Sequence, residues 1–126
     1  MTSAPAGPSQ PGTEPDPSVT SLNQLTVTVE ATAQPPTIAL AGELDPHTAP
    51  LLQREIDQIL ERGSTDLVLD LRALGFVDSS GLRVLISAQS QLADQGGTLT
   101  LHAPSETVRR LLEITGLIDH IAITGL

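Results

Sequence analysis

The 126-residue chain contains no cysteine, no tryptophan, no tyrosine and no lysine, and its only aromatic residue is Phe76. Without cysteine there are no disulfides and no thiolate metal sites, a composition suited to the cytoplasm. No apolar run approaches the ~20 residues of a membrane span. The N-terminus lacks the basic patch and apolar stretch of a secretory signal. A cytoplasmic protein with no membrane partner is therefore expected. Six arginines stand against fifteen acidic residues, for a net charge of −9. Nucleic-acid binders need a basic footprint, and those for single strands add aromatic platforms. The chain has neither, so no nucleic-acid partner is expected, and its acidic surface points to protein partners or to solubility.

Among the first 22 residues, Pro5, Pro8, Pro11, Pro15 and Pro17 alternate with Ala, Gly, Ser and Thr. Such a stretch buries too little apolar surface to offset its ordering entropy, so residues 1–22 are expected to be a disordered tail. Residues 23–126 remain for one domain, enough for a single core.

Leu25, Val27 and Val29 alternate with Thr26, Thr28 and Glu30 in the period of a half-buried strand. Pro35-Pro36 marks a turn, and Thr37–Leu44 reads as a second strand pairing with the first as an antiparallel hairpin. After Asp45-Pro46 the pattern predicts a helix capped by Thr48, with Pro50 in its first turn, an apolar stripe of Leu52, Ile56, Ile59 and Leu60, and Gly63 at its end. Asp66–Leu71 reads as a short strand buried on both faces. Leu82, Leu85, Ile86, Ala88, Leu92 and Ala93 recur at helical spacing up to Gly96-Gly97. A strand over Thr98–His102, a helix opened by Pro104-Ser105, and a last strand near Ile121–Ile123 complete the chain. Strands alternating with helices predict an α/β fold: a mixed, mostly parallel sheet with an antiparallel N-terminal edge hairpin and three to four helices.

The chemistry gathers at Asp78-Ser79-Ser80-Gly81, where a strand feeds a helix. A helix N-terminus exposes unpaired N–H groups and about half a unit of positive charge, which suits a phosphate. Two hydroxyls and a carboxylate lie there, and Gly81 leaves room for close approach. Serine and aspartate are also ordinary helix caps. No Glu or Gln lies three residues beyond either serine, so no reciprocal capping box forms. One cap needs one hydroxyl, which leaves a second serine without a structural duty. On local grounds both readings stand, and neither serine is preferred.

From about Leu25 onward the chain resembles the STAS domain family, the fold shared by anti-sigma factor antagonists and sulfate transporter tails. Three segments carry the resemblance: Gly42-Glu43-Leu44-Asp45 with Thr48-Ala49, the loop Phe76-Val77-Asp78-Ser79-Ser80-Gly81-Leu82, and Gly96-Gly97 followed by Val108-Arg109-Arg110-Leu111-Leu112 and Gly116-Leu117. Each motif is weak alone, but their order and spacing agree. The resemblance implies a single STAS domain over residues 23–126. It also implies an antagonist that binds an anti-sigma factor when unphosphorylated and so releases the sigma factor. The anti-sigma factor is itself a GHKL-type serine kinase that phosphorylates the serine after the loop aspartate, here Ser79, and a PP2C-type phosphatase reverses the step. The loop of Asp45, His47 and Thr48 is then expected to touch the partner together with Asp78, Ser79, Ser80, Gly81 and Arg83. Ser80 is expected to be the helix cap or a supporting contact. No cofactor is expected, since the chain carries no phosphate loop.

Two other readings compete with this one. A STAS domain can serve as a scaffold subunit of a stress-sensing or transport complex with its loop serine unused. A Ser-His-Asp hydrolase could be drawn from Ser79, Asp78 and one of His47, His102 or His120, but no G-x-S-x-G elbow is present. The histidines share no metal-ligand spacing, and no enzyme activity is expected.

Overall fold

Six strands form one sheet, and the computed structural model describes residues 19–22 and 24–126 of the chain. The elements are β1 (Val19–Leu22), β2 (Leu25–Glu30), β3 (Thr37–Leu44), α1 (Ala49–Glu61), β4 (Leu67–Val77), α2 (Ser79–Asp94), β5 (Leu99–His102), α3 (Glu106–Thr115), a 3-10 turn at Leu117–Asp119 and β6 (Ala122–Thr124). The strands lie in sequence order from β1 to β6. β1, β2 and β3 pair antiparallel, whereas β3 to β6 pair parallel, as an α/β fold with helical crossovers requires.

One face of the sheet carries the core. Leu25, Val27, Ile38, Leu40, Leu67, Leu69, Leu99 and Leu101 are all buried and pack with Leu52, Ile56 and Ile59 of α1, Leu85, Ala88 and Leu92 of α2, and Val108 and Leu112 of α3. Each large aliphatic side chain so buried contributes roughly 1.5–3 kcal/mol. The other face holds Thr26, Thr28, Ala39, Val68, Asp70 and Thr100, which are only half-buried. β4 is therefore covered on one side, and the expectation of burial on both faces is corrected. Asp70 is the reason: its carboxylate stays with solvent and with Arg72, whose guanidinium lies 3.5 Å away.

Two boundaries also move. The tail expected over residues 1–22 lies outside the described residues up to position 18, but Val19–Leu22 form β1, paired Val19 to Thr28 and Leu22 to Leu25. Backbone pairing to β2 supplies what composition alone did not promise. β4 continues six residues past Leu71 because its register against β3 shifts twice, between Ala39 and Ala41 and between Gly42 and Glu43. Each bulge adds one residue, so inward positions run Leu67, Leu69, Leu71, then Leu74 and Val77. A period-two reading loses the strand at the first bulge.

Candidate functional site

β3 and β4 end side by side, with Leu44 paired to Val77 and the Asp78 N–H donating to the Leu44 carbonyl at 3.1 Å. On its other side, β3 meets the start of β2 at Gly42. Its φ is +112°, and a Cβ there would lie 1.9 Å from the Gln24 carbonyl oxygen. Only glycine lets β2 approach closely enough for the Glu43 N–H to reach Gln24 at 2.9 Å.

At the end of β3, Asp45 Oδ1 accepts the N–H groups of His47 (2.9 Å) and Thr48 (3.0 Å). The Thr48 hydroxyl accepts the Asp45 N–H at 2.9 Å and donates to the Glu43 carbonyl at 3.0 Å. Partial burial pushes the Asp45 carboxyl up, but the bonds from Thr48 and His47 and the nearby His47 charge outweigh it and hold the carboxyl below the usual carboxylate range. Thr48 is 0% exposed and makes no side-chain cap to α1. One expectation is corrected here: Thr48 makes no side-chain cap to α1, because its hydroxyl is engaged by the Asp45 N–H and the Glu43 carbonyl. Pro46 and His47 are the exposed tip of that loop.

At the end of β4 the chain enters α2. Asp78 is its N-cap, and Oδ1 accepts from Ser80 N (2.8 Å) and Gly81 N (3.1 Å). The cap is therefore Asp78, not Ser80: an extended Asp78 backbone aims its carboxylate at two N–H groups that the Ser80 hydroxyl cannot reach from inside the helix. Gly81 is buried, and a Cβ on it would lie 2.7 Å from Leu44 and 3.2 Å from Val77. The absent side chain leaves room for Leu44 of β3 and Val77 of β4. Ser79 is exposed at the first position of α2, and Ser80 is half-buried. Among the described residues neither serine hydroxyl makes a hydrogen bond, so the site presents a free hydroxyl beside a fixed carboxylate.

Arg83 lies one turn after Ser79, and both are exposed. The spacing 79, 83, 86, 90 keeps Ser79, Arg83, Ile86 and Ser90 on one exposed face of α2, opposite buried Leu85, Ala88 and Leu92. Ile86, read from the sequence as part of the apolar stripe, is 47% exposed, and Phe76 is 45% exposed. Both were missed as surface residues. Ile86 follows Leu82 by four residues, at the edge of the apolar stripe, so its spacing does not mark it as exposed.

A sequence model described as Mlab, STAS domain matches residues 27–124. The anti-sigma-B factor antagonist of Bacillus subtilis (strain 168) is 38% identical over 88 residues, 70% of this chain and 80% of that protein. Among solved structures, an anti-sigma factor antagonist from Mycobacterium paratuberculosis superposes with a TM-score of 0.73 at 28% identity, covering 81% of this chain and 86% of that one. The Bacillus cell fate determinant SpoIIAA in its phosphorylated form superposes with a TM-score of 0.61 at 25% identity, covering 77% and 89%. The chain belongs to the STAS domain family, and these relatives within it are regulatory antagonists of anti-sigma factors. Among the described residues no helix is long and apolar enough to cross a membrane.

Proposed function

We propose that the chain is an anti-sigma factor antagonist working in the cytoplasm, a binding module and kinase substrate switched off by phosphate on Ser79. Unphosphorylated, it docks on an anti-sigma factor through Ser79, Arg83 and the His47 loop tip, and so frees the sigma factor. That anti-sigma factor, a serine kinase, transfers phosphate to Ser79, and a PP2C-type phosphatase removes it.

One observation carries the reading: the Asp78 carboxylate alone caps α2, which leaves the exposed Ser79 hydroxyl without structural work. The relatives named as antagonists support it, as does the study of SpoIIAA in a phosphorylated form. A phosphoserine brings about −1.5 to −2 charges into a packed interface. It would stand beside Asp78, with the Asp45 carboxylate on the next strand end, on a chain already at −9. Desolvation and repulsion oppose docking, while attraction to the helix N-terminus is worth at most ~2 kcal/mol.

Titration calorimetry with the cognate anti-sigma factor tests this. The parent chain and Ser79→Ala are expected to bind alike, and Ser79→Asp or the phosphorylated chain at least about tenfold more weakly, or roughly 1.4 kcal/mol. Equal affinity across the four would overturn the proposal.

A further inference from the structure

The phosphate on Ser79 has fewer partners at the helix start than the sequence promised. Of the first-turn N–H groups of α2, those of Ser80 and Gly81 are held by Asp78 Oδ1 and that of Leu82 by the Asp78 carbonyl at 3.0 Å. Only the N–H of Ser79 itself is left. The usual means by which a helix start holds phosphate is therefore largely occupied by a carboxylate that repels it.

One cation stands within a turn. Arg83 follows Ser79 at the i, i+4 spacing, at which Cβ atoms lie about 5–6 Å apart. Both residues are exposed on the same face of α2, and among the described residues Arg83 forms no ion pair, whereas Arg72 and Arg110 do. The acidic partner precedes the basic one, the favourable order along a helix. A guanidinium can also take two phosphate oxygens at once. The other charged groups at this end of the sheet are Glu43, Asp45 and Asp78, which repel a phosphate, and His47 on the neighbouring loop.

We propose that Arg83 is the intramolecular counter-ion of phosphorylated Ser79, closing over the phosphate across one turn of α2. The inference rests on Ser79 being the modified residue. It adds a second element to the switch. In the unphosphorylated chain Arg83 extends from the face it shares with Ile86 and is available to an acidic partner. Phosphorylation draws it back onto the phosphate, so the docking face gains an anion and loses its cation in one event. Sequence reading placed Arg83 only among partner contacts. The spacing alone could have suggested the pairing, but the occupied N–H groups make it the main compensation open to the phosphate.

The test uses the full chain with phosphoserine installed at position 79 during translation, so that it does not depend on any kinase. The second phosphate ionisation, ordinarily near pH 6, is followed by phosphorus NMR. A nearby guanidinium favours the dianion, so Arg83→Gln is expected to raise the midpoint by about half a pH unit. Arg83→Lys should restore part of the shift, and 1 M salt should erase most of it. Arg109→Gln and His47→Gln should leave the midpoint in place. If Arg83→Gln titrates like Arg109→Gln, or if the shift belongs to His47→Gln, the pairing is overturned. If instead a kinase leaves Ser79 bare, the proposed switch fails while this titration still gives its own answer.

Discussion

At the end of β3, Asp45 Oδ1 accepts N–H bonds from the residues two and three places on, and at the end of β4, Asp78 Oδ1 does the same. The two corners share a device and differ in what fills it. Three places on, the first has Thr48, whose hydroxyl is buried and fully engaged, and the second has Gly81, buried against Leu44 and Val77. One place on, the first presents Pro46 and the second Ser79. The same carboxylate turn thus yields a sealed corner beside an open one, and only the open corner offers an exposed hydroxyl. An aspartate cap frees the serines because a carboxylate can hold both N–H groups by itself.

Exchanging the residues that differ should break the comparison. The largest effect is expected for Gly81→Thr, which gives the second corner the first corner's residue. Its Cβ would start 2.7 Å from Leu44, and relief by backbone movement should cost about 3 kcal/mol, read as a lower denaturant midpoint. Thr48→Val should cost about 2 kcal/mol, because the Asp45 N–H and Glu43 carbonyl lose a buried partner. Smaller still is Asp78→Ala, at about 1 kcal/mol, with faster amide exchange at Ser80 and Gly81. Ser79→Ala and Ser80→Ala should stay within about 0.5 kcal/mol. A Ser80→Ala loss equal to that of Asp78→Ala would return the cap to Ser80.

The smallest effect is a pH dependence at the first corner. The folded Asp45 carboxyl lies below its unfolded value, so its stabilisation is full above an unfolded pKa of about 3.9 and fades as pH falls through the folded value. The stability gap between the parent and Asp45→Ala should therefore be constant at neutral pH and shrink below about pH 4. A gap that widened on acidification would contradict the assignment.

Much of this was legible beforehand, and the exceptions have physical causes. The hairpin of β2 and β3, the stripe of α1 and the helical crossovers follow from apolar period alone, since burying one face demands it. β1 escaped because four residues beside a proline-rich stretch carry little pattern, and only pairing with β2 reveals them. The far half of β4 escaped because two bulges change its period from two to three. At the site, the loop itself was visible, but the division of labour within it was not. Whether Asp78 or Ser80 caps α2 depends on the backbone angles at the strand end, and whether Gly81 faces a partner or Leu44 depends on how closely β3 and α2 approach. Ile86 was misplaced because a stripe of apolar residues at helical spacing does not show where its edge meets solvent.

The central claim is that the open corner is where phosphate goes. Incubating the chain with its anti-sigma kinase and ATP, followed by intact mass and residue-level mapping by fragmentation, tests it most directly. The expected result is one added phosphate, on Ser79, lost in Ser79→Ala and retained in Ser80→Ala. A phosphate on Ser80 or elsewhere, or no addition at all, would contradict the account.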